Sequence, residues 1–380
     1  MLTVRNLLVA IGGLVASLLL PASAFAQGVT KTAILIGQSG PMTGANKEFG
    51  NDIRDGMLAY FTKANDAGGI GGRKLELITL DDANDAKRSG ENARILIEER
   101  GVLALFGYAS ATLSVPAMPY VEKNKVPFVG PFTGAEAMRP FRPLVFNVRA
   151  SYADELEKIV NFYTITGMKK FSVIHYDDAI GKENLAAVLV ALTERGLKPV
   201  SIGTLKRNQT DLGGAVADVI KAAPDVVVAT TLYATTAAFI KQAKKAGSGA
   251  QFASTSFVGA SALADALGAD GTGVVVAQVV PPYDRASIAI VREYKAAIEK
   301  QFGKKDYSFT SLEAYIGAKI LVEGIRRAGV NPTREGLVKA LNSMQNYDVG
   351  GFVVDFSPTS HNGSKFVELT AIGKAGKFAY

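Results

Sequence analysis

The 380-residue chain contains no cysteine and no tryptophan, and only two histidines, His175 and His361. The missing cysteine excludes disulfide frameworks, thiolate metal sites and cysteine nucleophiles. Two histidines leave almost no raw material for a zinc site or a histidine-based triad, and no metal, cofactor or catalytic residue is expected. Blocks of like charge are also lacking. Basic residues are mixed with acids along the chain rather than clustered with aromatics, so the net charge of +7 permits attraction to anions without marking a nucleic-acid surface. What the chain has is apolar content: 48% hydrophobic against 20% charged residues, enough for a full core, at a length that implies about two domains.

The longest apolar run lies near the start. Arg5 precedes Leu7 to Leu20, and Pro21 and the small-residue site Ala24-Phe25-Ala26 follow. A charged residue, a short apolar stretch and an A-x-A pattern are the marks of a secretory signal peptide, residues 1–26, whereas a membrane anchor would need a longer run. Cleavage after Ala26 leaves 380 − 26 = 354 residues, and the loss of Arg5 lowers the charge to +6. With no cysteine after the cut, a lipid anchor is not expected, and the mature chain is expected free in the periplasm.

The remainder alternates strand-length apolar runs with helical periodicity, which implies α/β architecture with parallel sheets flanked by helices. Strands are expected at 31–36, 75–80, 102–106 and 126–129. The helix over 51–65 puts Ile53, Met57, Phe61 and Ala64 on one face. From Tyr152 the alternation starts again, with strands at 171–175, 199–203, 225–229, 251–254 and 273–277, which marks a second lobe. Three amphipathic helices follow near 286–302, 310–328 and 333–344. In the tail, Phe352, Val354 and Phe356 alternate as in a strand with one buried face. Helices return before the end, so the two lobes are interleaved.

Enzyme motifs are incomplete. Gly37-Gln38-Ser39-Gly40 lacks the spacing of a nucleophile elbow, and neither Ser39 nor Ser110 stands in triad spacing with His175 or His361. The run Gly68 to Gly72 precedes a strand instead of following one, so it reads as a turn and not a dinucleotide fingerprint. Asp81, Asp82 and Asp85 lack the rest of a calcium loop and read as caps and solvated side chains.

More informative are the strand ends, where open α/β sheets bind ligands. Gly107-Tyr108-Ala109-Ser110-Ala111-Thr112 and Gly130-Pro131-Phe132-Thr133-Gly134 each follow a strand with hydroxyls before a helix start. Such loops suit a carboxylate, but Ser110, Thr112 and Thr133 serve equally as caps of their own helices. In the second lobe Tyr176-Asp177-Asp178, Thr230-Thr231-Leu232-Tyr233, Phe257 and Gln278 hold the corresponding positions, as pocket, core or rim.

These segments resemble a known family, the leucine/isoleucine/valine-binding type of periplasmic solute-binding protein, which serves ABC transporters. The stretch Ile36-Gly37-Gln38-Ser39-Gly40-Pro41-Met42-Thr43-Gly44 is similar to the family's first strand and loop. Gly68 through Asp82, Leu105-Phe106-Gly107, Val126 through Gly134 and Tyr176-Asp177-Asp178 follow in the family's order. The resemblance implies two Rossmann-like lobes joined by three crossovers, near 148–151, 278–282 and 350–356, with ligand trapped between them by hinge closure. The lobes are expected as 27–148 plus 281–350 and 149–280 plus 351–380.

By the same resemblance, positions 107–113, including Tyr108, Ser110, Thr112 and Leu113, and 131–134, including Phe132 and Thr133, grip a carboxylate. Phe49, Ile180, Tyr233 (or Leu232) and Phe257 wall the side-chain pocket or hold an ammonium. Members that bind α-amino acids place an acid near Phe257, where this chain reads Ser254-Thr255-Ser256-Phe257-Val258. Asp177 is the substitute available. The expectation is therefore a monomeric, non-enzymatic binding protein that carries an amino acid of the branched-chain type to an ABC permease. The alternatives are a non-amino, aromatic carboxylate as ligand, or a sensory role beside a receptor.

Overall fold

The computed structural model describes residues 28–379 other than 208, 210 and 304, so the signal-peptide expectation lies outside the described residues. Two sheets organise the chain. The first contains β1 (Ala33–Gly40), β2 (Lys74–Asp81), β3 (Ala104–Phe106), β4 (Phe128–Val129) and β5 (Val145–Phe146), all parallel in the order β2-β1-β3-β4-β5. The second contains β6 (Phe171–Tyr176), β7 (Pro199–Leu205), β8 (Val226–Ala229), β9 (Gln251–Ser254) and β10 (Val275–Gln278), parallel in the order β10-β9-β8-β6-β7. A two-strand hairpin, β11 (Tyr347–Asp348) with β12 (Val353–Val354), stands apart. β13 (Glu368–Ile372) and β14 (Phe378–Ala379) extend the second sheet antiparallel beyond β10. Central strands such as β6 and β8 are buried along their whole length, as the helices on both faces of a parallel sheet require.

The helices are α1 (Lys47–Asp66), α2 (Ala86–Arg94), α3 (Ala111–Ser114), α4 (Met118–Asn124), α5 (Tyr152–Ile165), α6 (Ala179–Thr193), α7 (Gly213–Ala222), α8 (Tyr233–Lys245), α9 (Ala260–Leu267), α10 (Ala289–Phe302), α11 (Phe309–Arg327) and α12 (Arg334–Asn342). Ile53, Met57, Phe61 and Ala64 share the buried face of α1, as their spacing predicts. α1 lies so close to α11 that a Cβ on Gly56 would come within 2.1 Å of the Ser311 carbonyl oxygen; glycine is what permits the contact. α5 begins with a capping box, Ser151 with Asp154, which fixes where the chain turns into its second half.

The interleaving is visible in the contacts. After β10 the chain returns to the first sheet: Tyr315 packs edge-on against Tyr60, and Arg334 donates to the Val102 and Asn124 carbonyls. Phe352, Val354 and Phe356 are buried and their neighbours open, as the two-residue period predicts. The third crossing, however, comes later than 350–356. Phe356 packs on Phe146, and Asn147 pairs with His361 and Gly363, so residues through 363 stay with the first sheet and the chain joins the second only at β13. The apolar alternation was the same for either partner; the edge of β5 decides where this segment pairs. β5 itself and α9 were not expected, the first being too short to show a period and the second too rich in alanine.

Candidate functional site

In the first sheet the strand order reverses direction at β1, which has β2 on one side and β3 on the other; in the second it reverses at β6, between β7 and β8. The crevice outside the carboxyl ends of strands at such a point is where open α/β sheets hold ligands. Here the two sets of strand ends face each other. Arg207, two residues after β7, donates from Nη2 to Thr112 Oγ1 at 3.2 Å; the Tyr233 hydroxyl donates to the Ala45 carbonyl; and Glu183 of α6 accepts from the Glu136 backbone N–H.

Between these contacts lies an aromatic cluster drawn from both sides. Phe49 in the first turn of α1 meets Phe132 at 6.3 Å and Phe257 at 6.1 Å, both edge-on, and Phe257 meets Tyr152 at 5.9 Å. All four are buried. Edge-to-face rings of this kind attract beyond their area of burial, and they present flat apolar faces to whatever shares the space. Tyr152 is positioned by its backbone N–H, which donates to the Gly134 carbonyl at 2.8 Å; a Cβ on Gly134 would stand 2.5 Å from that nitrogen. Beside the Tyr233–Ala45 contact, a cavity of 360 Å³ is lined by Thr43 to Asn46 and Ala83-Asn84 from one side and Gln209, Ala234, Thr235 and Ala238 from the other.

The hydroxyls of the first wall do two things. Ser110 Oγ accepts from Leu113 N at 3.2 Å and caps α3, whereas Thr133 Oγ1 accepts from Ala135 N at 3.1 Å in a local turn, not at a helix start as its sequence position suggested. A cap bond uses an oxygen lone pair and fixes the side chain, and it leaves the O–H proton free to donate. Capping and carboxylate binding are thus complementary chemistry at one atom. Tyr108 and Leu113 take no such part through their side chains, which are fully buried; the Tyr108 ring packs on Phe128, and its backbone carbonyl accepts from Phe132 N.

On the second wall Tyr176 is buried, with its hydroxyl donating to Thr235 Oγ1 at 3.0 Å and accepting from Leu232 N. Ile180 and Tyr233 are buried beside it in the first turns of α6 and α8. Asp177 is different. It is exposed and bonded to Lys182 at 2.9 Å, which holds its carboxyl below the usual range, so the structure does not bring it to the aromatic cluster. Gln278 is likewise spent on the sheet, donating to Thr370 Oγ1 on β13. His175 bonds Thr204 and the Tyr176 carbonyl, His361 bonds Asn342 and the Val145 carbonyl, and Ser39 bonds Asp82, so neither histidine meets Ser39 or Ser110. Asp85 caps α2, and Asp81 and Asp82 hold the loop after β1 through Met42, Thr43, Ser39 and Asn84.

Behind Phe257 lies a buried charge cluster. Glu155 accepts from the backbone N–H of Ser256 at 2.6 Å and from its hydroxyl at 2.9 Å, and pairs with Arg149 at 3.3 Å. Arg149 also bonds Ser256 Oγ and reaches Glu313 of α11 at 3.6 Å. Burial pushes Glu313 up to about 7, opposed by Arg149 and assisted by Glu155. The sequence reading did not single out Arg149, Tyr152, Arg207 or Glu183. Arg207 was findable, since it follows a strand by two residues as the chosen candidates do; Arg149 lies in the expected first crossover, where only connection was read.

Among known proteins, a family model for the periplasmic binding protein matches residues 33–377. An amino acid binding protein of Pseudomonas aeruginosa is 25% identical over 302 residues, covering 78% of this chain and 79% of its own. The crystal structure of a possible leucine/isoleucine/valine-binding protein from Rhodopirellula baltica superposes with a TM-score of 0.88 at 30% identity, covering 92% of this chain and 96% of that one. A solute-binding protein of an ABC transporter from R. palustris, solved in complex with benzoate, matches with a TM-score of 0.81 at 19% identity over 91% and 95%, a likeness of fold. The chain belongs to the periplasmic binding protein family and is of its leucine/isoleucine/valine-binding type.

Proposed function

We propose that the chain captures a small carboxylate-bearing solute between its two lobes and hands it to the permease of an ABC importer, without chemistry of its own. The observation that carries this reading is the facing of two switch points across an aromatic cluster with contacts from both sides. A ligand touching both walls favours the closed arrangement by its differential affinity, and the permease reads that arrangement. The moving bodies are proposed as 28–148 with 281–363 and 149–280 with 364–379, in place of a boundary at 350/351, because the third crossing follows residue 363. The Ser110 and Thr133 hydroxyl protons, with Thr112, are the donors proposed for the carboxylate; Phe49, Phe132, Ile180, Tyr233 and Phe257 enclose the body of the ligand.

The named Pseudomonas relative supports an amino acid as that solute. A non-amino carboxylate is supported by a different observation: Asp177, the acid expected to meet an ammonium, is turned to Lys182. The protein is proposed to act as a monomer in the periplasm after loss of its first 26 residues; among the described residues no helix is long and apolar enough to cross a membrane. Thermal-shift screening of the mature protein against amino acids and organic acids tests the proposal, since a ligand that binds only the folded state must raise its stability. Stabilisation by one carboxylate class is expected. No stabilisation by any carboxylate would remove the reading.

A further inference from the structure

We infer that Arg207 is an anion anchor of the cleft and that the site selects carboxylates carrying no ammonium group. The inference rests on the capture reading above and narrows its ligand. Arg207 spans the cleft: Nε donates to Asp178 at 2.7 Å on its own side, Nη2 to Thr112 on the other, and the guanidinium lies 4.6 Å over the Tyr176 ring. Its remaining nitrogen, Nη1, is buried and bonds nothing. Buried donors without partners are rare in native proteins, and a charged one is the costliest to leave unpaired. Asp178 meets this cation through one oxygen only, because its other oxygen is engaged as the cap of α6 through Gly181 N at 2.7 Å, so the pair is not bidentate and Nη1 stays unbonded.

The acids tell the same story from the opposite sign. A desolvated ammonium needs a carboxylate partner. Around the cluster and Arg207, five carboxylates are committed: Asp177 to Lys182, Asp178 to Arg207 and its cap, Glu183 to the Glu136 backbone, Glu155 and Glu313 to Arg149; Glu48, beside Tyr233, is exposed and pairs with Lys47 at 3.9 Å. One further buried polar atom without a partner, Thr255 Oγ1 two residues before Phe257, is a hydroxyl able to donate. The cleft therefore offers donors and a spare guanidinium edge with flat apolar walls, and among the described residues no buried carboxylate oxygen is left without a partner. That set fits an aromatic or branched apolar acid.

Two matched probe pairs differ only in the ammonium group: 3-phenylpropanoate with L-phenylalanine, and 4-methylpentanoate with L-leucine. Titration calorimetry on the mature protein is expected to give the acid of at least one pair about tenfold or more tighter binding than its amino acid, the scale of one missing charged partner. Arg207→Gln is expected to weaken the acid about tenfold or more, and Arg207→Lys to recover part of it, with the unliganded melting temperature confirming that each variant folds. Tighter binding of either amino acid than its matched acid would overturn the inference and leave the capture reading standing. Acid binding unchanged in Arg207→Gln would remove Arg207 as anchor. Failure of all four probes and of the wider carboxylate panel would overturn both readings.

Discussion

Two arginines, Arg149 and Arg207, divide the cleft between them and differ in how completely they are answered. Arg149 stands at the first crossover, with its side chain 2% exposed, between Glu155 and Glu313 and bonded to Ser256. Arg207 stands at the opening, 19% exposed, with one acid, one threonine and one idle nitrogen. Burial penalises an ion in both places. Only at Arg149 do two carboxylates meet the cost from within the chain, so that cluster has no need of a ligand and ties Ser256, next to Phe257, to α11. A guanidinium met by two carboxylates of its own protein is architecture; one met by a single carboxylate in a cleft is available to a guest.

The comparison can be broken most directly at Arg149. Arg149→Met removes the cation paired with both Glu155 and Glu313 and is expected to cost about 3–5 kcal/mol of stability in urea unfolding; a loss under about 1 kcal/mol would make Arg149 no more structural than Arg207. Glu313 gives the next largest effect. Its carboxyl is raised from 4.5 to about 7, so the folded state holds its proton more tightly than the unfolded chain does. Its contribution is fully present below the unfolded value and is lost as pH rises through about 7. Glu313→Gln should therefore flatten the fall in stability between pH 5 and 8, by about 2–3 kcal/mol at about 1.4 kcal/mol per unit; an unchanged slope would place the titration elsewhere, and Asp52, also raised to about 7 by burial, is the control.

Smaller effects sharpen the other side of the comparison. Thr133→Ala removes both a turn acceptor and a proposed ligand donor, and is expected to weaken binding of the responding acid by about 1–3 kcal/mol in calorimetry. If stability falls and affinity does not, Thr133 only holds its turn. Asp177→Asn is the smallest change expected: an exposed acid paired with a lysine should leave affinity within about twofold. A large loss would restore Asp177 as an ammonium partner and count against the spare-cation view of Arg207.

Much of the fold was legible because it is written in local periods. The face of α1, the buried runs of β6 and β8, and the alternation of Phe352, Val354 and Phe356 each follow from spacing alone. The site was legible as places, since strand ends in α/β sheets are where ligands sit: Phe132, Ser110 and Thr133 were singled out that way, whereas Phe49 entered only through the family resemblance. It was less legible as roles. Asp177 and Asp178 are neighbours of equal chemistry, yet one faces Lys182 in solvent and the other meets Arg207 in the cleft. No spacing rule distinguishes them, because the difference lies in which helix turn and which distant strand end each carboxylate meets.

The sequence by itself determined the class of this protein: an apolar-rich α/β chain without thiols, with two histidines and with hydroxyl-bearing strand ends in the order of a binding-protein family. Tertiary structure decided the partners: that residues through 363 pair with β5 before the chain crosses to β13, that Phe49 and Phe257 share one cluster although 208 residues separate them, and that Arg149 meets two carboxylates where Arg207 meets one. The physical reason is range. Hydrophobic period and capping act within a few residues and leave their mark in the sequence, whereas the pairing of buried charges and rings is settled only when the sheets bring distant segments together.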